Sequence, residues 1–99
     1  MYQTISVDEF YQKHKQENLT VIDVREAYEY AGGHIQNADN FPLSQLAKDA
    51  ASLDKAQHHY VVCQAGGRSS QACNYLSQLG YNVTNVMGGM STWKGEVTR

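Results

Sequence analysis

Three short apolar runs rich in β-branched and aromatic residues constrain this chain more than any other feature: Leu19 to Val24, Tyr60 to Cys63 and Asn82 to Val86. They are strand-length and continuous rather than alternating, the pattern of strands covered on both faces in a parallel sheet. Shorter strands fit around Thr4-Ile5 and from Ala38 to Phe41. Helices fit between them. Ser6-Val7-Asp8-Glu9 has the form of a capping box, which starts a helix running to about Lys15. A second helix follows Pro42, with Leu43, Leu46, Ala47 and Ala50 on one face. The clearest spans Ser69 to Leu79, with Ala72, Cys73, Leu76 and Leu79 on one stripe and Gly80 as its stop. A short one spans Ser91 to Gly95. The alternation predicts an α/β domain with a mainly parallel sheet of about five strands, covered by helices on both faces. Ninety-nine residues, 41% of them apolar, make one domain over residues 1–99 with a usable core.

The net charge is −2, and the eight Lys and Arg residues are scattered. No basic stripe exists to supply nucleic-acid affinity. No segment approaches the roughly 20 consecutive apolar residues that span a bilayer. The start, Met1-Tyr2-Gln3-Thr4-Ile5, lacks the basic and apolar stretches of a secretory signal, so the cytoplasm is the expected compartment. There the two cysteines are expected to be thiols. Cys63-x9-Cys73 does not have the spacing of a zinc pair, and His58-His59 does not rescue it, so no metal site is expected.

In parallel sheets ligands bind beyond the carboxyl ends of the strands. The stretch after Val62 is the most suggestive such place: Cys63-Gln64-Ala65-Gly66-Gly67-Arg68-Ser69 runs from strand end through a tight loop into a helix start. A cysteine at a strand end is often only a small hydrophobe. Here Gly66 and Gly67 allow successive N–H groups to turn inward as an anion-holding nest. The helix adds its positive end and Arg68 a full charge. All of these favour thiolate over thiol, so Cys63 reads as a nucleophile with a lowered pKa.

The loop Cys63-Gln64-Ala65-Gly66-Gly67-Arg68 resembles the active loop of rhodanese-type sulfurtransferases. Asp23-Val24-Arg25-Glu26, Glu29 and Gly33-His34-Ile35 resemble that family's upstream signature, Asn40-Phe41-Pro42-Leu43 continues it, and Gly88-Gly89 with Trp93 resembles its C-terminal one. Ala27 stands where a proline is common and Asn37 where a glycine is common. The resemblance implies an enzyme of the thiosulfate sulfurtransferase type that needs no cofactor. Cys63 would take sulfur from a small donor such as thiosulfate, or from a protein persulfide, carry it as a persulfide and pass it to a nucleophilic acceptor. The backbone N–H groups of Gln64 through Arg68 are the candidates for holding the anionic sulfur. No nucleic acid or membrane is expected as a partner.

Arg68 reads as an anion contact for donor or persulfide. Asp23 and Arg25 read as a supporting pair that fixes loop geometry, with Arg25 a secondary attractor of anionic donors. Glu26 and Glu29 cap or decorate a short helix. The resemblance gives His34 a structural turn. Cys73 reads as core, with a resolving thiol as the minor alternative. Gly88-Gly89 is a turn, and Trp93 a packing residue. Two other functions compete. Cysteine phosphatases and arsenate reductases place five residues between cysteine and arginine, commonly with histidine before the cysteine; here four intervene and Val62 precedes. The shorter loop suits one sulfur atom better than a tetrahedral oxyanion. A sulfur-relay or interaction module is the second alternative.

Overall fold

The computed structural model describes residues 2–99. The elements are β1 (Gln3–Ser6), α1 (Val7–Gln16), β2 (Thr20–Asp23), α2 (Ala27–Ala31), β3 (His34–Ile35), β4 (Asp39–Asn40), α3 (Leu46–Asp49), β5 (His58–Val62), α4 (Gly67–Gln78), β6 (Asn82–Met87) and β7 (Val97–Thr98). Five strands form one sheet in the order β1-β6-β5-β2-β4, every pairing parallel. The predicted α/β architecture is therefore the observed one. β3 and β7 add a small antiparallel ribbon that the apolar pattern did not predict; two residues per strand are too few to show a period.

The side-chain alternation of β5 divides the core. Val61 and Cys63 face a cluster built with Ala72, Cys73 and Leu76 of α4 and Leu46 and Ala50 of the 43–52 segment. Val62 faces the other way, toward Val7 and Phe10 of α1 with Val21 and Val86. Helices thus cover both faces, and continuous apolar runs are the consequence of strands buried on two sides. Ser6 caps α1, its hydroxyl accepting the Glu9 N–H at 3.1 Å.

Three expected details differ. The segment after Pro42 is not one regular helix but a 3-10 turn, the four residues of α3 and a second 3-10 turn. The changing pitch keeps Leu46 and Ala50 inside and turns Ala47 out. Leu79 is 43% exposed rather than on the buried stripe of α4, because the helix ends before it. Gly80 at φ 95° turns the chain so that Tyr81 N–H bonds Leu76 O at 3.1 Å, and Tyr81 takes the interior place, donating to Ala50 O at 2.7 Å. The short helix placed at Ser91 to Gly95 is a 3-10 turn over Gly89–Thr92. Among the described residues no helix is long and apolar enough to cross a membrane.

Candidate active site

Parallel pairing brings the carboxyl ends of β2, β5 and β6 side by side, and the chain leaving β5 there is the Cys63 loop. Gly66 is the residue that shapes it. At φ 113° it adopts a backbone conformation that side chains resist, and this turn directs its N–H onto Cys63 Sγ at 3.0 Å. Gly67 needs no such freedom, contrary to its sequence reading: α4 begins at Gly67, two residues earlier than expected, and Gly67 has ordinary helical geometry. The positive end of α4 therefore lies closer to the sulfur than the pattern implied.

Cys63 is almost wholly covered, with 1% of its surface exposed. Burial opposes charge on the sulfur, but the Ser69 hydroxyl and the backbone N–H groups of Ser69, Gly66 and Ala65 outweigh it, and the thiol pKa lies below its ordinary value. Of the donors expected from Gln64 through Arg68, Ala65 and Gly66 act on the sulfur, and Ser69, one residue beyond, joins them. Gln64 and Ala65 have exposed side chains at the mouth of the loop. Cys73, also a free thiol, lies on the buried face of α4, where burial and the nearby Cys63 push its pKa up to about 12. That environment fits a core residue and not a resolving thiol.

Arg68 is not turned to the sulfur as an open anion contact. Its Nη1 donates to Glu29 Oε1 at 2.6 Å and its Nη2 to Glu29 Oε2 at 3.0 Å. A cation in the first turn of a helix is unfavourable on dipole grounds, and the carboxylate resolves the conflict. Glu29 also accepts the Glu26 N–H at the start of α2, at 3.0 Å, so one side chain caps that helix and holds the arginine. Hydrogen bonding from Arg68 is the main cause of a Glu29 pKa lowered to about 2. Arg68 remains near enough to Cys63 to feel charge on the sulfur.

Asp23 and Arg25 are paired with one another at the end of β2. Arg25 donates from its backbone N–H and Nε to Asp23 Oδ1, each at 3.0 Å, and from Nη2 to Asp23 Oδ2 at 2.8 Å and to Gly33 O at 2.8 Å. At 0% and 5% exposure the two are interior, so Arg25 ties the end of β2 to the 33–34 turn and is not an attractor at the surface. Asn40 Nδ2 donates to Asp23 O and Arg25 O, locking the same corner. His34 belongs to that turn: its ring stacks on Tyr30 at 3.6 Å and its Nδ1 lies 2.9 Å from Tyr30 O. Ala27 is the first residue of α2, where proline is favoured, and Asn37 has φ 71°, a conformation asparagine tolerates better than most residues.

Several contributors were missed at the sequence level. Ser69 Oγ lies 3.3 Å from Cys63 Sγ and is hydrogen-bonded to Asn85 Oδ1 on β6. An asparagine inside the strand-like run Asn82 to Val86 was the available signal, since interior polar residues are there to bond something. The Gly88-Gly89 turn is a buttress: Met90 N–H and Ser91 N–H donate to Cys63 O and Gln64 O, each at 2.8 Å. A Cβ at Gly89 would run into the Cys63 carbonyl oxygen, so glycine is there for close backbone approach. Trp93 packs on Phe10, Tyr11 and His14, as a packing residue should.

Comparison with known proteins agrees with this geometry. Residues 6–96 match the rhodanese-like domain family. The chain is 39% identical over 80 residues to "Putative sulfurtransferase YtwF" of Bacillus subtilis, a match covering 81% of this chain and 78% of that protein. It is 36% identical over 94 residues to "Putative sulfur carrier protein YrkF" of the same organism, across 93% of this chain and 51% of the relative. The solved structure of a rhodanese-related protein from Thermoplasma volcanium superposes with a TM-score of 0.90 at 36% identity, covering 98% of each chain. The first of these relatives is named for sulfur transfer and the second for carrying sulfur, and with residues 6–96 matched this chain belongs to the rhodanese-like domain family.

Proposed function

We propose that this chain is a sulfurtransferase that carries sulfane sulfur as a persulfide on Cys63. The observation that carries the reading is the Gly66 N–H held 3.0 Å from Cys63 Sγ in a loop of four intervening residues, with the Ser69 hydroxyl 3.3 Å from the same sulfur where the helix begins. Fixed backbone dipoles aimed at one sulfur atom stabilise charge there without reorganising. In the first step the thiolate attacks the outer sulfur of the donor. A new Sγ–S bond forms, and the donor's own bond to that sulfur breaks with its electron pair leaving on the departing group, which is sulfite when the donor is thiosulfate. In the second, an acceptor nucleophile attacks the terminal sulfur, and Cys63 leaves as the thiolate. No oxidant or cofactor is consumed.

Intact-mass measurement after incubation with thiosulfate, and separately with a protein persulfide, tests this. One added sulfur atom that is absent from Cys63→Ala is the expected result; no adduct with any donor overturns it.

The engagement of Arg68 with Glu29 bears on both alternatives. A phosphatase needs its loop arginine facing the oxyanion, whereas this one is bound to a carboxylate. The same neutralisation favours a relay between protein partners over a free-standing thiosulfate enzyme, because it leaves no unpaired arginine in the loop for a small dianion. Faster sulfur uptake from a protein persulfide than from thiosulfate is the expected signature.

A further inference from the structure

Ser69 Oγ has more partners than hydrogens. It is 3.3 Å from Cys63 Sγ and 3.2 Å from Gly66 O, and it is hydrogen-bonded to Asn85 Oδ1. A hydroxyl owns a single hydrogen. Ser69 and Asn85 are 0% and 1% exposed, so bulk water does not relieve the shortage. With Cys63 as a thiol the chain of bonds is complete: S–H donates to Ser69 Oγ, and Ser69 O–H donates to Asn85 Oδ1. A thiolate has no hydrogen to give and needs one more donor. Ser69 meets that need only by turning its hydrogen away from Asn85, which leaves a buried amide oxygen short of a partner.

We propose that Asn85 is a positioning residue that competes with Cys63 for the one hydrogen of Ser69, keeping it while the sulfur is uncharged and yielding it when the sulfur becomes a thiolate. The loop N–H groups raise the reactivity of Cys63, and Asn85 holds it back. As a statement about sulfur transfer this rests on Cys63 being the sulfur carrier. Sγ is then uncharged in the thiol and in the persulfide, and anionic when it attacks and when it leaves. Ser69 would swing toward Sγ as the Sγ–S bond breaks and its electron pair settles on Sγ. The competition itself needs no sulfur donor. An asparagine turned the other way, with its amide donating to Ser69 Oγ, would push the serine hydrogen onto sulfur and have the opposite sign.

The other charged or titratable groups around Cys63 make no hydrogen bond to the Asn85 side chain, whose oxygen is bonded to Ser69 Oγ. They are Arg68 bound to Glu29, the Asp23–Arg25 pair at the end of the neighbouring strand, Tyr28 beside Arg68, and the Cys73 thiol. β6 and the 89–92 turn contribute no charged residue.

The test is the pH profile of Cys63 alkylation by iodoacetamide, followed by intact mass, with no sulfur donor present. It therefore reports even on a chain that never accepts sulfur. Asn85→Leu and Asn85→Ala are made alone and with Ser69→Ala, and thermal melting selects those that fold. Loss of one competing hydrogen bond should lower the midpoint by about half to one pH unit. Ser69→Ala should raise it, and changing Asn85 in that background should do nothing more. Asn85→Ala removes the same oxygen with less bulk if the leucine does not fit. A midpoint that stays or rises in the Asn85 variants, a fall of equal size without the Ser69 hydroxyl, or a Ser69→Ala midpoint that does not rise would overturn the proposal.

Discussion

Arg68 and Glu29 lie 39 residues apart in sequence and meet fork to fork, at 2.6 and 3.0 Å, joining the first turn of α4 to α2 beside the cysteine loop. The Glu29 pKa is depressed from 4.5 to about 2. Its contribution to stability is therefore fully present above about pH 4.5 and is lost as pH falls toward 2. Both side chains keep contact with water, so the contribution is up to about 1 kcal/mol. Urea melts of wild type and Glu29→Gln should differ by a constant amount above pH 5 or so and converge in acid. A difference that grows below about pH 4 contradicts the assignment.

Asp23 and Arg25 should respond differently. They are interior, so removing the arginine leaves a buried carboxylate without its partner. Arg25→Met should cost about 3–5 kcal/mol, and the double change Asp23→Leu with Arg25→Met should recover much of that. Denaturant unfolding measures both. A single variant within about 1 kcal/mol of wild type would show that the pair does not hold the corner together.

Gly89 and Gly67 make a contrast within the site. A Cβ at Gly89 would overlap Cys63 O and stand 2.9 Å from Gln64 O, whereas one at Gly67 meets nothing within 4 Å. Gly89→Ala should cost about 2 kcal/mol or more and slow alkylation of Cys63, because the buttress must move. Gly67→Ala should stabilise by about 0.4–1 kcal/mol through the unfolded chain. Thermal melts in parallel check that order, and a Gly89→Ala variant as stable as Gly67→Ala would remove the buttress role.

Cys73 should be silent where Cys63 reacts. Its pKa is pushed up to about 12 while that of Cys63 is lowered. One equivalent of iodoacetamide at neutral pH should label Cys63 alone, as peptide mapping would show. Cys73→Ala should still take up one sulfur from a competent donor. A disulfide between the two cysteines after oxidation, or loss of sulfur uptake in Cys73→Ala, would give Cys73 the resolving role instead.

The strands at 20–23, 58–62 and 82–87 were legible because a two-sided parallel sheet leaves continuous apolar runs, and Gly80 marked a helix end through its own backbone freedom. The cysteine loop was legible for the same reason: strand, glycine and helix start are adjacent in sequence, and their geometry is local. The end of α4 was misjudged at Leu79 because a helical stripe has no means of announcing that Tyr81 will occupy the last interior place.

By itself, then, the sequence determined a parallel α/β fold with a cysteine at the end of a central strand and an anion-holding turn after it. Tertiary structure decided what surrounds that cysteine. Setting β6, β5 and β2 side by side brought Asn85 to Ser69 across 16 residues, Met90 to Cys63 across 27, and Glu29 to Arg68 across 39. Such pairings depend on strand order and register, which no local pattern encodes. They converted Arg68 from an expected anion contact into half of an ion pair. They also linked the Cys63 sulfur, through the Ser69 hydroxyl, to the side-chain oxygen of Asn85.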